Sequence, residues 1–126
     1  MQLTRDLTTP QEYNQTMLTV IETPIFSRLW PAYWSEGERG EFAAFIAQHP
    51  DEGDVVQGSG GVRKVRWRRA GSGKSGGVRV IYFVRNGLGE LVLMFMYAKS
   101  KLDTLKASTL KEMRNAIEQA NGQTGE

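Results

Sequence analysis

The sequence predicts an α+β fold in the order β-α-α-β-β-β-α, a small, mostly antiparallel twisted sheet packed by two N-terminal helices and a C-terminal helix. Three observations carry that expectation. Two short stretches with helical spacing and capping residues precede Pro50. Glycine-rich breaks around Gly58–Gly61 and Gly71–Gly77 then separate alternating and β-branched runs. A last helical stripe follows Thr109. At 126 residues the chain has the length of one domain. A chain of that size buries about two-thirds of its unfolded surface, enough for a core without staples.

Taken in order, residues 1–17 are polar and lack periodicity, and read as an extension ahead of a domain spanning 18–120. Leu18–Ile21 is a short apolar run suited to a first strand. Thr23-Pro24 offers an N-cap with proline at the first helical position. Phe26, Leu29, Trp30 and Tyr33 then share one helical face, which Pro31 should end or kink. Ser35 with Glu38 is a capping box, and Phe42, Phe45, Ile46 and His49 repeat the helical spacing up to Pro50. Val62–Arg69 alternates as a strand, with Lys64, Arg66 and Arg68 on one face and Val65 and Trp67 on the other. Val78–Arg85 is a second strand, Asn86-Gly87 a turn signal, and Leu91–Tyr97 a nearly all-apolar central strand. Thr109 with Glu112 reads as another capping box, opening a helix lined by Leu110, Met113, Ala116, Ile117 and Ala120, with 121–126 as a frayed tail.

Composition narrows the chemistry. With no cysteine, a disulfide scaffold, a thiolate nucleophile and Cys-ligated zinc or iron–sulfur sites are excluded. The single histidine, His49, excludes a histidine pair sharing acid and base roles, and its place on an apolar helical stripe marks it as structural. The carboxylates form no paired constellation, so neither metal nor other cofactor is expected. The run Gly71-Ser72-Gly73-Lys74-Ser75 lacks the upstream glycine of a P-loop, where Arg68 stands, and leads into a strand rather than a helix; it reads as a basic hairpin loop. No apolar run approaches the ~20 residues of a membrane span, and no apolar leader stands at the amino terminus, so a cytoplasmic protein is expected.

Charge is unevenly distributed. Residues 1–53 carry a net −5, residues 54–85 a net +7 with Asp54 as the only acid, and residues 86–126 balance, for a total of +2. A basic block built into strands points to a polyanion, and phosphate backbones are the usual one. Period-two spacing gathers Lys64, Arg66 and Arg68; Arg79 opens the next strand, and Tyr97 and Lys99 share parity at the end of the one after. Such a cluster suits metal-free phosphodiester cleavage. A lysine crowded by cations can serve as base, and arginines stabilise charge developing at phosphorus. It equally suits RNA or DNA binding without cleavage.

Four motifs in order resemble the RelE/HigB toxins of bacterial type II toxin–antitoxin modules, members of the RelE/ParE superfamily, and most nearly the HigB branch. They are Gly53-Asp54-Val55-Val56, Gly58-Ser59-Gly60-Gly61-Val62-Arg63-Lys64-Val65-Arg66, Gly73-Lys74-Ser75-Gly76-Gly77-Val78-Arg79-Val80-Ile81-Tyr82, and Tyr97-Ala98-Lys99. The resemblance spans roughly residues 20–120. It implies a RelE-like fold and a ribosome-dependent mRNA endonuclease, or mRNA interferase. Such an enzyme cuts mRNA in the ribosomal A site through the 2′-OH, without metal, and is neutralised by a cognate HigA-like helix-turn-helix antitoxin. Lys64, Arg66, Arg79 and Lys99 match the family's catalytic positions, and Arg63, Arg68, Lys74, Tyr82 and Tyr97 are the accompanying RNA-binding candidates. This chain has Ser100 and Leu105-Lys106 where RelE has an arginine and a tyrosine, which leaves stacking to Tyr82 or Tyr97. Two alternatives are a ParE-like gyrase-inhibiting toxin, a class that generally lacks the basic sheet cluster, and a non-catalytic nucleic-acid-binding regulator.

Overall fold

Thr23 shows how local chemistry starts the fold. In the computed structural model, which describes residues 17–68, 77–98 and 104–124, its hydroxyl accepts the Phe26 N–H at 3.1 Å and donates to the Met94 carbonyl at 2.8 Å. One buried side chain thus caps helix α1 (Pro24–Leu29) and ties it to strand β5 (Glu90–Tyr97). Pro24 fills the first turn, where no N–H is needed, and Pro31 ends the α-helix as expected, leaving a 3₁₀ turn over Trp30–Ala32. The Ser35–Glu38 capping box forms in both directions, at 3.1 and 2.8 Å, and opens α2 (Glu36–Gln48).

Five strands form one mixed sheet in the order β1-β5-β4-β3-β2. β1 (Thr19–Glu22) runs parallel to β5, one residue later than the apolar run suggests. β2 (Asp54–Val55), β3 (Arg63–Trp67), β4 (Val78–Arg85) and β5 are antiparallel neighbours. β2 is an addition to the predicted order: two residues are too few to show alternation. The Asn86-Gly87 signal marks a 3₁₀ turn over Asn86–Leu88 rather than a two-residue hairpin, and Gly89 supplies the left-handed residue at φ 66°. A bulge between Ile81 and Tyr82 leaves Met94 without an opposite residue and shifts the alternation of β5.

The sheet has two covered faces. On one, α1, α2 and the connection between them press Phe26, Trp34, Phe42 and Ile46 onto Val65, Val78, Val80, Tyr82, Leu91, Leu93 and Met96. On the other, α3 (Ala107–Thr124) sets Leu110, Met113 and Ile117 on Val62, Ile81, Phe83, Val92, Met94, Phe95 and Tyr97. The Arg114 guanidinium lies 4.4 Å over the Phe83 ring and donates to the Gly60 carbonyl, and Glu118 pairs with Arg85 at 3.6 Å.

Three expectations for α3 fail. The helix begins at Ala107, and the Lys106 carbonyl accepts the Thr109 and Leu110 N–H groups, so Thr109 lies inside the helix instead of capping it. Ala116 and Ala120 are exposed, because the helix touches the sheet only along its 110–113–117 stripe, and it runs to Thr124, past the end expected at residue 120. The extension at residues 1–16 and residues 125–126 lie outside the described residues. Among the described residues, no helix is long and apolar enough to cross a membrane.

Candidate nucleic-acid interface

β3 is the element on which the candidate site rests. Its alternation sends Val65 and Trp67 toward the helical hairpin, where Trp67 stacks edge-on against Phe42 at 5.1 Å and meets Phe45 at 5.0 Å. Those anchors leave Lys64 and Arg66 no choice but the opposite face. Register then does the rest. Arg66 stands directly opposite Arg79 on β4, and Arg79 directly opposite Tyr97 on β5. One step along, Lys64 stands opposite Ile81, and Ile81 opposite Phe95. A basic row therefore crosses the sheet on the α3 face, with Arg66 exposed, Lys64 and Arg79 half-buried, and Tyr97 buried at its inner end.

Gly77 allows this register. At φ 104° it takes a conformation open to glycine, and a Cβ there would lie 2.7 Å from the Trp67 carbonyl oxygen. Without that close approach β4 could not start beside the end of β3. Arg79 Nη1 donates to the Ala98 carbonyl at 2.9 Å, which anchors the guanidinium over the end of β5. Tyr97 stacks on Phe95 with centroids 6.1 Å apart. Two arginines directly opposite one another on neighbouring strands disfavour folding by roughly 0.2–1 kcal/mol. A surface that carries such repulsion is suited to a polyanion, whose phosphates relieve it on binding. Arginine holds its charge at any working pH and offers paired donors to two phosphate oxygens.

Not every candidate joins the row. Tyr82 faces the hairpin side and is fully buried. Its hydroxyl donates to the Pro50 carbonyl at 2.7 Å and accepts the Gly53 N–H at 2.9 Å, and burial raises its pKa above the ordinary phenolic value. It cannot stack on a base. Arg63 also turns away from the row: Nη1 donates to the Gly53 carbonyl at 2.6 Å and Nη2 lies 3.5 Å from the Asp51 carboxylate. Both expected RNA contacts are instead clamps on the loop between α2 and β2. Strand parity already separates them from the row, since Arg63 alternates with Val65 and Tyr82 with Val80 and the two stand directly opposite one another. What parity cannot supply is the partners that claim them, loop carbonyls and a glycine N–H. Tyr97 does lie on the row's face but is buried, at 4% exposure, so it too offers no open ring on which a base could stack. Arg68 is exposed just beyond β3. Lys74, the surrounding Gly71–Ser75 run and Lys99 lie outside the described residues.

The register also places a residue that composition presents only as a lone acid. Asp54 on β2 is directly opposite Lys64. His49, expected on the apolar stripe, is exposed at the end of α2, where its ring stacks on Phe45 at 4.4 Å and Nδ1 lies 3.0 Å from the Phe45 carbonyl. Among the described residues there is no group of three or more His, Asp or Glu side chains suited to holding a metal ion.

No protein-family model matches the chain. Among solved structures it is similar to the toxin RelE of E. coli, determined as a double arginine-to-alanine variant in the free state. The TM-score is 0.51 at 13% identity, over 77% of this chain and 93% of that one. The likeness shows a RelE-like α+β fold.

Proposed function

We propose that this chain is a RelE-like toxin of the HigB kind, an endoribonuclease that cleaves mRNA in the ribosomal A site in the cytoplasm. A cognate HigA-like helix-turn-helix antitoxin neutralises it. The observation that carries the reading is the basic row: Arg66 opposite Arg79, with Lys64 one step along and Tyr97 at its inner end. The four sequence motifs and the RelE-like fold support the same reading.

In this reading the 2′-OH of the mRNA attacks the adjacent phosphorus, and the 5′-oxygen leaves, giving a 2′,3′-cyclic phosphate. Arg79, anchored on the Ala98 carbonyl, and Arg66 take the non-bridging oxygens. They stabilise the charge that grows there in the transition state. The ribosome holds the RNA with its 2′-OH in line with the leaving oxygen, and positioning of that kind supplies several kcal/mol. Lys74 and Lys99 contribute further phosphate contacts.

The test is cleavage of one mRNA, free and on ribosomes with an empty A site, with end-group analysis of the products. Ribosome-bound mRNA should be cut well and free mRNA poorly, leaving 2′,3′-cyclic or 3′-phosphate ends. Rising salt should weaken the ribosomal reaction steeply, since each phosphate contact releases condensed counterions. Equal cutting of free RNA, or 3′-hydroxyl ends, would overturn the proposal.

A further inference from the structure

The motif Gly53-Asp54-Val55-Val56 supplies no residue to the chemistry above, yet its backbone is held more firmly than a two-residue edge strand requires. The Gly53 N–H donates to the buried Tyr82 hydroxyl, and the Gly53 carbonyl accepts from Arg63 at 2.6 Å. Gly53 is itself buried so tightly that a Cβ would lie 2.9 Å from the Lys64 carbonyl oxygen and from the Tyr82 ring. Past the strand, the Val56 N–H donates to the Val62 carbonyl at 2.9 Å. The residue fixed between these anchors is Asp54. It is exposed, and it stands directly opposite Lys64. Directly opposed residues of an antiparallel pair share a face, with Cβ atoms about 4.5–5.5 Å apart, and the diagonal neighbour, here Arg66, is reached at about 7–8 Å. Val56, two residues on, packs into the α3-side cluster, in keeping with Asp54 facing the basic row.

From this geometry we infer that Asp54 is a catalytic residue, the proton acceptor for the attacking 2′-OH, working with Lys64 as proton donor to the leaving 5′-oxygen. The inference rests on the endoribonuclease reading. Arginines keep their protons, so Arg66 and Arg79 can hold phosphate but cannot accept one. A carboxylate accepts and an ammonium donates. The Asp54–Lys64 pair therefore presents one acceptor and one donor beside the phosphate-holding arginines. In the step, the 2′-OH proton passes to an Asp54 Oδ as the 2′-O–P bond forms. The P–O5′ bond breaks, and a Lys64 Nζ proton goes to the 5′-oxygen. Asp54 then returns its proton to Lys64, and both groups are reset with no other reactant.

The test compares the protein with its Asp54→Asn and Lys64→Met variants at saturating enzyme, on ribosome-bound mRNA. The cleaved linkage is either the natural phosphodiester or a 5′-bridging phosphorothiolate, whose sulfur leaves without needing a proton. Asp54→Asn should lose about 100-fold or more in the single-turnover rate on both linkages, the usual contribution of a positioned proton acceptor. Its melting temperature should be unchanged. Lys64→Met should lose comparably on the natural linkage and recover most of the loss on the sulfur one. Asp54→Asn cutting within a few-fold of the unaltered protein would overturn the assignment. So would a loss that higher enzyme concentration restores, or one that sulfur rescues. If the unaltered protein cuts neither linkage on the ribosome, the endoribonuclease reading fails and takes this inference with it.

Discussion

The two faces of the sheet are made from the same strands and differ in almost everything else. On the helical-hairpin side, Phe26, Trp34, Phe42 and Ile46 seal Val65, Val80 and Tyr82 into a continuous core with ring pairs 5.1–6.3 Å apart. On the α3 side the apolar cover of Leu110, Met113 and Ile117 shares the sheet with a row of arginine and lysine. Every second residue of β3 serves one face or the other, so Val65 and Trp67 fix where Lys64 and Arg66 must stand. The hairpin side is apolar throughout, whereas the α3 side carries opposed cations beside its own buried cluster of Val62, Ile81, Phe83 and Val92.

The comparison breaks most visibly at Phe42. The ring is fully buried between Trp34 at 5.2 Å and Trp67 at 5.1 Å. Phe42→Ala should cost roughly 3–5 kcal/mol of stability, the usual result of emptying a buried aromatic site. Denaturant unfolding should report that loss, and activity should fall only in proportion to the unfolded fraction. An equal effect from a residue of the basic row would remove the distinction between the faces.

Arg79 gives the converse. Arg79→Ala should lower the cleavage rate by about 100-fold or more, the scale on which one transition-state donor acts. Stability should stay within about 1 kcal/mol, since the lost Ala98 contact is offset by relief from Arg66. Arg79→Lys should recover little, because an ammonium is a point charge where the guanidinium is a fork. A folded Arg79→Ala protein with full activity would remove Arg79 from the site.

What was legible in the sequence follows the same division. Caps and periodicity announce α1, α2, β3 and β4, because Thr23, Ser35 and Pro31 act within one turn and the alternation at residues 62–69 is local. The basic row was legible as parity: Lys64 and Arg66 share a face whatever the rest of the chain does. Pairing across strands was not. Nothing local ties Asp54 to Lys64, ten residues away, and a two-residue strand has no period to read. Tyr82 and Arg63 were misread against their own parity, which sets them with Val80 and Val65 on the hairpin face. Both look like RNA-contacting side chains until the loop carbonyls of Pro50 and Gly53, and the Gly53 N–H, claim them. The Thr109–Glu112 pair imitates a capping box within a helix that had already begun at Ala107.

Tyr82 sharpens the comparison by joining the two faces. Its ring belongs to the hairpin-side core, but its hydroxyl holds Pro50 and Gly53, and through them the strand that sets Asp54 opposite Lys64. Tyr82→Phe keeps the ring and removes the clamp. The Gly53 N–H is then left buried without its acceptor, at a cost of about 1–3 kcal/mol. Cleavage should fall a few-fold as β2 loosens, far less than for Arg79→Ala. Alkaline pH reports the burial of this hydroxyl. Burial holds the Tyr82 pKa above its ordinary value near 10. Between those two values the unfolded chain loses the phenolic proton and the folded chain keeps it, so rising pH favours unfolding. The hydroxyl's contribution is therefore complete below about pH 10 and declines above it as pH approaches the raised folded value. Unfolding free energies measured in parallel should show the original protein losing its advantage over Tyr82→Phe in that range. A constant difference through it would mean that the hydroxyl ionises as easily in the fold as out of it.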